Sequence, residues 1–263
     1  MCLTKRLILF LLLLNATAYA QQKITWPHHK KAVIVLTYDD AINSQLNVAV
    51  PQLDSAHLKG TFFLIGDLTN ETIPKWRAVA KKGHELANHT VNHPCANAAD
   101  NPVGSQNYTP NTIVREIGTM NDLLLAIDGK ATRTFAYPCT ETAVGGKDYV
   151  DTLRHSGLIK YARVGGDKDA IITDFSKLDP FLVPSYGLEG NNSGEELIAF
   201  VKNVVEKGGM GIFMFHGIGG DYIVTPAQSH RELLAYLKKN QKDIWVATFQ
   251  EAMDYIAQVN KGK

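Results

Sequence analysis

Two adjacent carboxylates, Asp39 and Asp40, end the apolar run Val33-Ile34-Val35-Leu36-Thr37-Tyr38. An apolar, β-branched run without alternation predicts a strand that is buried on both faces, and such strands present chemistry at their carboxyl ends. Two negative charges at a buried strand end are costly unless a cation, a shared proton or a metal compensates them. The rest of the chain is therefore expected to supply that partner.

Two histidines four residues apart are candidate metal ligands. On a helical turn, His89 and His93 would face the same side and could bind one divalent metal together with a carboxylate. The spacing alone is as typical of surface or capping histidines. Beside an aspartate pair that needs a cation, it favours a metal site. Two histidines and one carboxylate leave the open coordination position that is typical of catalytic zinc.

Two further groups follow predicted strands and could complete a reaction centre. Tyr137 follows the run 134–136, and His216 follows the run 211–215. A carboxylate that does not bind the metal could act as general base toward water, and His216 could protonate the leaving group from the opposite side. The alternative for His216 is a histidine that only hydrogen-bonds in a strand-end turn.

Strand and helix patterns alternate along the chain and would bring these groups together. Besides the strands that lead to the candidate groups, strands are predicted at 60–66, 85–87, 161–164 and 244–248. Helices are predicted at 43–56, with an interruption at Pro51, and at 74–82, 111–127, 147–156, 195–207, 226–240 and 249–260, and an irregular segment at 165–192. This alternation predicts a single α/β domain whose parallel sheet of about seven strands forms a closed or nearly closed barrel.

The first twenty residues predict a secretory signal peptide. Lys5-Arg6 precedes the apolar block Leu7 to Leu14, and Ala18-Tyr19-Ala20 matches a cleavage site. The alternative is a membrane anchor, but the block is shorter than the roughly 20 residues that span a bilayer. The domain would then comprise residues 21–263 of an exported protein without membrane contact after cleavage.

Charge and cysteine content limit the partners. Cleavage removes two of the 27 Lys and Arg residues and none of the 26 Asp and Glu residues, which leaves a net charge of −1. This balance gives no reason to expect nucleic acid as a partner. Cys95 and Cys139 remain after cleavage, and two cysteines in an oxidising compartment suit either a disulfide or two small buried side chains.

Three ordered motifs carry a resemblance to a known family. Thr37-Tyr38-Asp39-Asp40 resembles the T-F-D-D motif of the polysaccharide deacetylases with a NodB homology domain, carbohydrate esterase family 4, with Tyr for Phe. His89-Thr90-Val91-Asn92-His93-Pro94 is similar to their H-[ST]-x-x-H-P metal motif, and Met214-Phe215-His216 is similar to their late L-x-H motif. The resemblance covers about residues 30–257.

The resemblance implies a distorted (β/α) barrel, a divalent metal that is usually zinc, and hydrolysis of an acetyl group from a carbohydrate. By position in the motifs, Asp39 matches the catalytic base and His216 the general acid. Tyr137 lies in the third motif, where a backbone N–H helps to stabilise the oxyanion of the tetrahedral intermediate. The metal ligands of the family match Asp40, His89 and His93.

The third motif departs from the common R-P-P-Y form of the family. Phe135-Ala136-Tyr137-Pro138-Cys139 is similar to the F-x-Y-P form of some members and lacks the arginine that braces the catalytic aspartate. Arg163, at another predicted strand end, is a hypothetical replacement, and the alternative is an arginine that pairs with a surface carboxylate. Cys95 and Cys139 directly follow the second and third motifs, so a pocket bordered by both motifs would bring them close enough for a disulfide.

These features predict an exported, metal-dependent hydrolase that removes N-acetyl or O-acetyl groups from a polysaccharide or oligosaccharide. One alternative is hydrolysis of a non-carbohydrate amide or ester by the same groups. Another is a glycan-binding module without turnover. The presence of all the proposed catalytic groups favours an enzyme over the binding module.

Overall fold

The structure of the protein, a computed structural model, describes residues 24–96 and 103–261. Every residue predicted to form the site lies in these two ranges. The predicted signal peptide, residues 1–20, lies outside them. Within the described ranges, no helix is both long and apolar enough to cross a membrane.

The first strand, β1 (Ala32–Asp39), is buried along its whole length. Successive side chains of a strand point to opposite faces, so Ile34 and Leu36 pack in one hydrophobic cluster and Val35 packs in another. Asp39 lies on the same face as Val35. The strand therefore carries a carboxylate into the interior at its carboxyl end, as the unbroken apolar run predicts.

The described residues contain ten strands in one sheet. Seven of them have three or more residues: β1, β2 (Thr61–Leu64), β3 (Glu85–Asn88), β4 (Thr134–Ala136), β7 (Tyr161–Val164), β11 (Met210–Phe215) and β12 (Ile244–Ala247). The other three are the two-residue strands β8 (Ile171–Ile172), β9 (Val183–Pro184) and β10 (Tyr186–Gly187). A separate hairpin is formed by β5 (Ala143–Val144) and β6 (Lys147–Asp148).

The strand order is β10-β11-β1-β2-β3-β4-β7-β9, with β12 also paired to β1 and β8 paired to β11. All these pairs are parallel except that of β8 with β11. Parallel strands end at the same edge of a sheet, so the residues that follow them are brought together. The prediction of an α/β fold with a nearly closed barrel in a single domain is confirmed.

Seven α-helices of the described residues cover the sheet: α1 (Val50–Ala56), α2 (Ile73–Lys81), α3 (Pro110–Asp128), α4 (Val150–Ser156), α5 (Gly194–Lys207), α6 (Ala227–Lys239) and α7 (Phe249–Lys261). The hydrophobic cluster that contains Leu36 also includes Leu53 of α1, Phe200 of α5 and Leu233 of α6. Met253 of α7 packs in the cluster that contains Val35. Helices therefore shield both faces of β1 from water, as its composition requires.

Local turn chemistry explains where the elements differ from the prediction. The helix predicted at 43–56 is divided into a π-helical turn, Gln45–Ala49, and α1, because Pro51 has no N–H and suits a first helical turn. The helix predicted from 147 begins at Val150, because the hairpin of β5 and β6 precedes it. The segment 165–192 is not wholly irregular. Its three strands are too short to give a period-2 pattern.

Candidate active site

The predicted site residues surround one cavity of about 460 Å³ at the carboxyl edge of the sheet. Asp39 ends β1, His89 follows β3, Tyr137 follows β4 and His216 follows β11. The predicted residues that line the cavity are Asp39, Asp40, His89, His93, Tyr137, Cys139 and His216. Arg163 lies behind this wall and contacts Asp39.

The two motif histidines face each other from a loop, so the expectation of a helical turn was wrong. Asn88 Oδ1 accepts the Thr90 N–H at 2.8 Å, and Thr90 Oγ1 accepts the His93 N–H at 2.9 Å. Thr90 and His93 have φ of +67° and +48°, in the left-handed region. These side-chain bonds replace a helical turn and bring the Nε2 atoms of His89 and His93 to 3.1 Å.

Backbone contact fixes the orientation of His89. Its Nδ1 lies 2.8 Å from the Ala136 carbonyl oxygen, so Nδ1 carries the proton and Nε2 presents a lone pair toward the cavity. Burial lowers the pKa of His89 to about 4, so the ring is neutral near pH 7. A neutral imidazole with a fixed tautomer is the form that binds a metal.

Asp40 presents one oxygen to both histidines. Its Oδ1 lies 3.4 Å from His89 Nε2 and 3.4 Å from His93 Nε2. Among the described residues this buried oxygen has no hydrogen-bond partner. An oxygen without a donor beside two imidazole nitrogens fits a divalent cation, because such a cation would satisfy all three atoms. The three groups are close enough to share one ion, with ligand atoms within 4.8 Å of one another.

A buried arginine compensates Asp39. Arg163 Nη2 donates to Asp39 Oδ2 at 2.5 Å, and Nη1 donates to Ser185 Oγ at 3.0 Å. Its guanidinium carbon also lies 4.9 Å from the ring centre of Phe63. Burial raises the pKa of Asp39, but the charge and hydrogen bond of Arg163, together with the electrostatic influence of the nearby histidines, outweigh burial and hold the pKa below its ordinary value. The carboxylate is therefore ionised, and its Oδ1 accepts no hydrogen bond from the described part of the chain.

His216 reaches the same carboxylates from another side. It follows β11, which flanks β1 on the side away from β2 and β3. Its Nε2 lies 3.8 Å from Asp40 Oδ2, and its backbone carbonyl accepts from Gln45 Nε2 at 3.2 Å. His216 and His89 thus come to the aspartate pair from strands on the two sides of β1.

Tyr137 lies in the cavity wall with its backbone N–H already engaged. The N–H donates to the Arg163 carbonyl at 3.1 Å, which continues the ladder between β4 and β7. The side chain is buried against Phe135 and Tyr149, with ring centres 5.0 and 5.4 Å away. An oxyanion role for this N–H would require it to share or release that ladder bond.

The two cysteines that follow the motifs are joined in the structure. Cys95 and Cys139 form a disulfide with Cα atoms 5.8 Å apart. Cys95 Sγ also lies 3.6 Å from His93 Nδ1. The bridge connects the loop that carries His93 to the turn Pro138–Thr140 that follows β4.

Sequence reasoning missed Tyr222, which contacts Asp40, and Ser185, which contacts Arg163. Tyr222 donates its hydroxyl proton to Asp40 Oδ2 at 2.7 Å. Ser185 accepts from Arg163 and donates to the Val164 carbonyl at 2.8 Å. One sequence signal could have pointed to Tyr222, because it lies just after residues 217–220, the glycine-rich segment that follows His216. Ser185 lies between two strands of two residues and gives no sequence signal.

Comparisons of sequence show that part of the chain is similar to deacetylases. The family model described as polysaccharide deacetylase matches residues 27–153. A peptidoglycan-N-acetylglucosamine deacetylase of Bacillus cereus is 31% identical over 67 residues, which cover 25% of this chain and 24% of that protein. The matched stretch thus spans about a quarter of the length of this relative.

Comparisons of structure extend the likeness to most of the chain. The peptidoglycan deacetylase PdaC from Bacillus subtilis matches with a TM-score of 0.57 and 20% identity, over 87% of this chain and 93% of that one. A family 4 acetyl xylan esterase from Clostridium thermocellum, solved with a cobalt ion, matches with a TM-score of 0.53 and 20% identity, over 83% and 89%. At these identities the likeness shows a shared fold.

Proposed function

Because residues 27–153 match the polysaccharide deacetylase family model and the fold is shared with such enzymes, we propose that this chain is an exported, metal-dependent enzyme that hydrolyses N-acetyl or O-acetyl groups of a polysaccharide or oligosaccharide. One observation carries the proposal. Asp40 Oδ1 and the two histidine Nε2 atoms converge beside the ionised Asp39 in one cavity. A binding module would have no need to bury an ionised carboxylate with a free oxygen beside a ligand set of this kind.

We assign the metal to Asp40, His89 and His93, with zinc as the first choice. Two imidazole nitrogens and one carboxylate oxygen are ligands that suit zinc, and three protein ligands leave a position open for reactants. When bound, such a cation polarises a carbonyl group and lowers the pKa of water. The disulfide beside His93 and the Ala136 carbonyl beside His89 would hold the two rings in place.

The side chains that remain free of the metal provide acid and base. Asp39 Oδ1 can accept a proton from the water that attacks the acetyl carbon, while Arg163 holds Oδ2. The bond between the acetyl carbon and the sugar nitrogen or oxygen then breaks. A protonated His216 delivers its Nε2 proton to that departing atom.

Acetate release measured with and without a chelator tests the proposal. We expect release from acetylated chitin-like, peptidoglycan or xylan oligosaccharides, its loss on chelation, and its return with zinc. Asp39→Asn should abolish release but keep metal binding, whereas His89→Ala should lose both. His155→Ala, a change on the exposed face of α4, is the matched histidine control.

Three outcomes would contradict the proposal. Acetate release that is indifferent to the chelator would exclude the metal. Glycan binding without acetate release would identify a binding module. Hydrolysis confined to simple amides or esters would identify a hydrolase of non-carbohydrate substrates.

Export is proposed from the composition of residues 1–20. Expression of the full chain in a bacterial host should yield a product outside the cytoplasm whose first residue is Gln21. A product retained in the cytoplasm with residues 1–20 intact would contradict export without affecting the proposed chemistry.

A further inference from the structure

Tyr222 makes a contact that the proposed reaction leaves unexplained. Its side chain is 47% exposed at the cavity rim, yet its hydroxyl donates to the buried Asp40 Oδ2 at 2.7 Å. An exposed aromatic ring thus holds one oxygen of a buried carboxylate.

The backbone at Asp40 shows why such a restraint is needed. Asp40 and Ala41 have φ of +83° and +59°, in the left-handed region that residues other than glycine seldom adopt. The Asp40 N–H donates to the Phe63 carbonyl at 3.0 Å, a bond that fixes the backbone but does not involve the carboxylate. With Oδ2 held by Tyr222, Oδ1 is the oxygen directed at the two histidines.

The loop that carries Tyr222 is tied at several points. The Gly217 N–H donates to the Tyr222 carbonyl at 3.1 Å, and the Thr225 N–H donates to the Gly217 carbonyl at 2.9 Å. Asp221 Oδ2 accepts the Ser44 N–H at 2.6 Å. Ile223, a β-branched residue, has φ of +47°, a strained value that persists only where the surroundings impose it.

We infer that Tyr222 is a positioning residue, which orients Asp40 so that Oδ1 binds the metal. The inference rests on the proposed metal site. Partners of this kind, which hold a ligand from behind, typically contribute 10- to 100-fold in metal affinity. The hydroxyl carries this role, so the aromatic ring remains available to line the cavity.

Cobalt affinity of the full chain tests the inference, because Co²⁺ binding is visible by absorbance and needs no substrate. We expect Tyr222→Phe to weaken Co²⁺ binding by about 10- to 100-fold in competition with a chelator. Tyr255→Phe is the matched control, since it removes a hydroxyl that bonds the Thr25 carbonyl far from the cavity. Its affinity should equal that of the unaltered chain.

A second substitution reaches the same contact through the backbone. A Cβ on Gly217 would lie 2.1 Å from the Gly220 carbonyl oxygen and 2.7 Å from that of Tyr222. Gly217→Ala should therefore displace Tyr222 and also weaken Co²⁺ binding. Gly118→Ala in α3, where the nearest atom would lie 3.6 Å from the new Cβ, is its control.

The outcomes separate the positioning role from a structural one. Weaker Co²⁺ binding by Tyr222→Phe with an unchanged melting temperature of the metal-free protein supports the inference. Unchanged or tighter binding overturns it, as does a fall in the metal-free melting temperature, because the hydroxyl would then only support its loop. Co²⁺ binding without acetate release would refute the proposed function and leave this inference standing, whereas a chain that binds no Co²⁺ would refute both.

Discussion

Arg163 supplies the positive charge beside Asp39 that the third motif lacks. The third motif lacks its arginine, but the Arg163 guanidinium comes from β7 to the same carboxylate, with both side chains at most 3% exposed. A buried carboxylate without a cation would take up a proton, and a protonated base cannot accept one from water. The charge that braces Asp39 therefore comes from β7, the strand that pairs with β4.

Substitution of Arg163 should reduce turnover more than substrate binding. We expect Arg163→Ala to lower kcat by about 10²- to 10⁴-fold, the range for loss of a general base, with a smaller change in KM. Arg163→Lys keeps the charge but cannot donate to Asp39 and Ser185 in the same geometry, so its kcat should lie between those of Arg163→Ala and the unaltered chain. Initial rates of acetate release would measure both constants.

Arg154→Ala is the matched control for Arg163→Ala. Arg154 also pairs with an aspartate, donating to both oxygens of Asp179 at 3.0 and 2.8 Å, but this pair is partly exposed to solvent. Its loss should leave kcat unchanged. Circular dichroism would show whether Arg163→Ala is folded, and a folded Arg163→Ala with full kcat would contradict the role.

The sequence predicts site residues that follow a recognisable pattern, and it misses residues that join the site only through a contact in the folded protein. Asp39, Asp40 and His216 were predicted because each follows a recognisable strand, and the structure places all three at one cavity. Tyr222 and Ser185 were missed because a hydroxyl becomes part of a site only through distance. No spacing rule relates Tyr222 to Asp40, which is 182 residues away.

Among the elements, the loop after β3 is held in shape partly by the turn that follows β4. Two left-handed residues and side-chain bonds shape it, and the disulfide of Cys95 fastens it to the turn after β4. A helical turn was predicted from the spacing of four, but a spacing constrains sequence and not backbone conformation. Tight loops of this kind are specified by local hydrogen bonds that the residue types allow without requiring.

Removal of the disulfide should destabilise the protein. The cysteines are 44 residues apart, and closure of a loop of that length lowers the entropy of the unfolded chain. We expect the double variant Cys95→Ser, Cys139→Ser to lose about 2 to 4 kcal/mol in free energy of unfolding. Urea unfolding of both proteins would measure the difference.

Reductant provides the internal control for this comparison. It should lower the unfolding midpoint of the unaltered protein toward that of the double variant. The double variant, which has no bridge between these positions, should not respond. Equal midpoints for the two oxidised proteins would contradict a stabilising bridge.

For the whole molecule, the strand order turns a linear series of motifs into one site. The motifs lie up to 177 residues apart in sequence, from Asp39 to His216, but β11, β1, β2, β3 and β4 are consecutive in the sheet. Because the longer strands have enough residues to give a recognisable pattern, the alternation of strand and helix patterns predicted the parallel sheet, but it did not predict the strand order. The two-residue strands β8, β9 and β10 have no period, so the end of the sheet near Arg163 and Ser185 was predicted as irregular.

The core of the molecule contains a histidine that should make the fold sensitive to acid. His230 is fully buried between Tyr38, whose hydroxyl lies 2.7 Å from Nε2, and Gln52, whose Oε1 lies 2.7 Å from Nδ1. Tyr38 donates to Nε2 and Nδ1–H donates to Gln52, so the neutral ring is fully bonded, and a second proton on Nε2 would displace the Tyr38 hydroxyl hydrogen and place a charge in the core. Burial lowers the pKa of His230 to about 3.

The pH dependence of stability follows from that shift. Unfolded histidine has a pKa of about 6.5, so the contribution of His230 is complete above that value and is lost as the pH falls toward 3. Between these limits the free energy of unfolding should decrease by about 1.4 kcal/mol per pH unit because of this one group. His230→Gln should reduce the slope by that amount, measured by urea unfolding from pH 7 to pH 4 of chelated protein. The control is His155→Gln, a change of an exposed histidine, which should leave the slope unchanged. The buried His84 and His89 also have lowered pKa values, but they contribute equally to all three proteins. Identical slopes for His230→Gln and the unaltered chain would show that His230 does not govern acid unfolding.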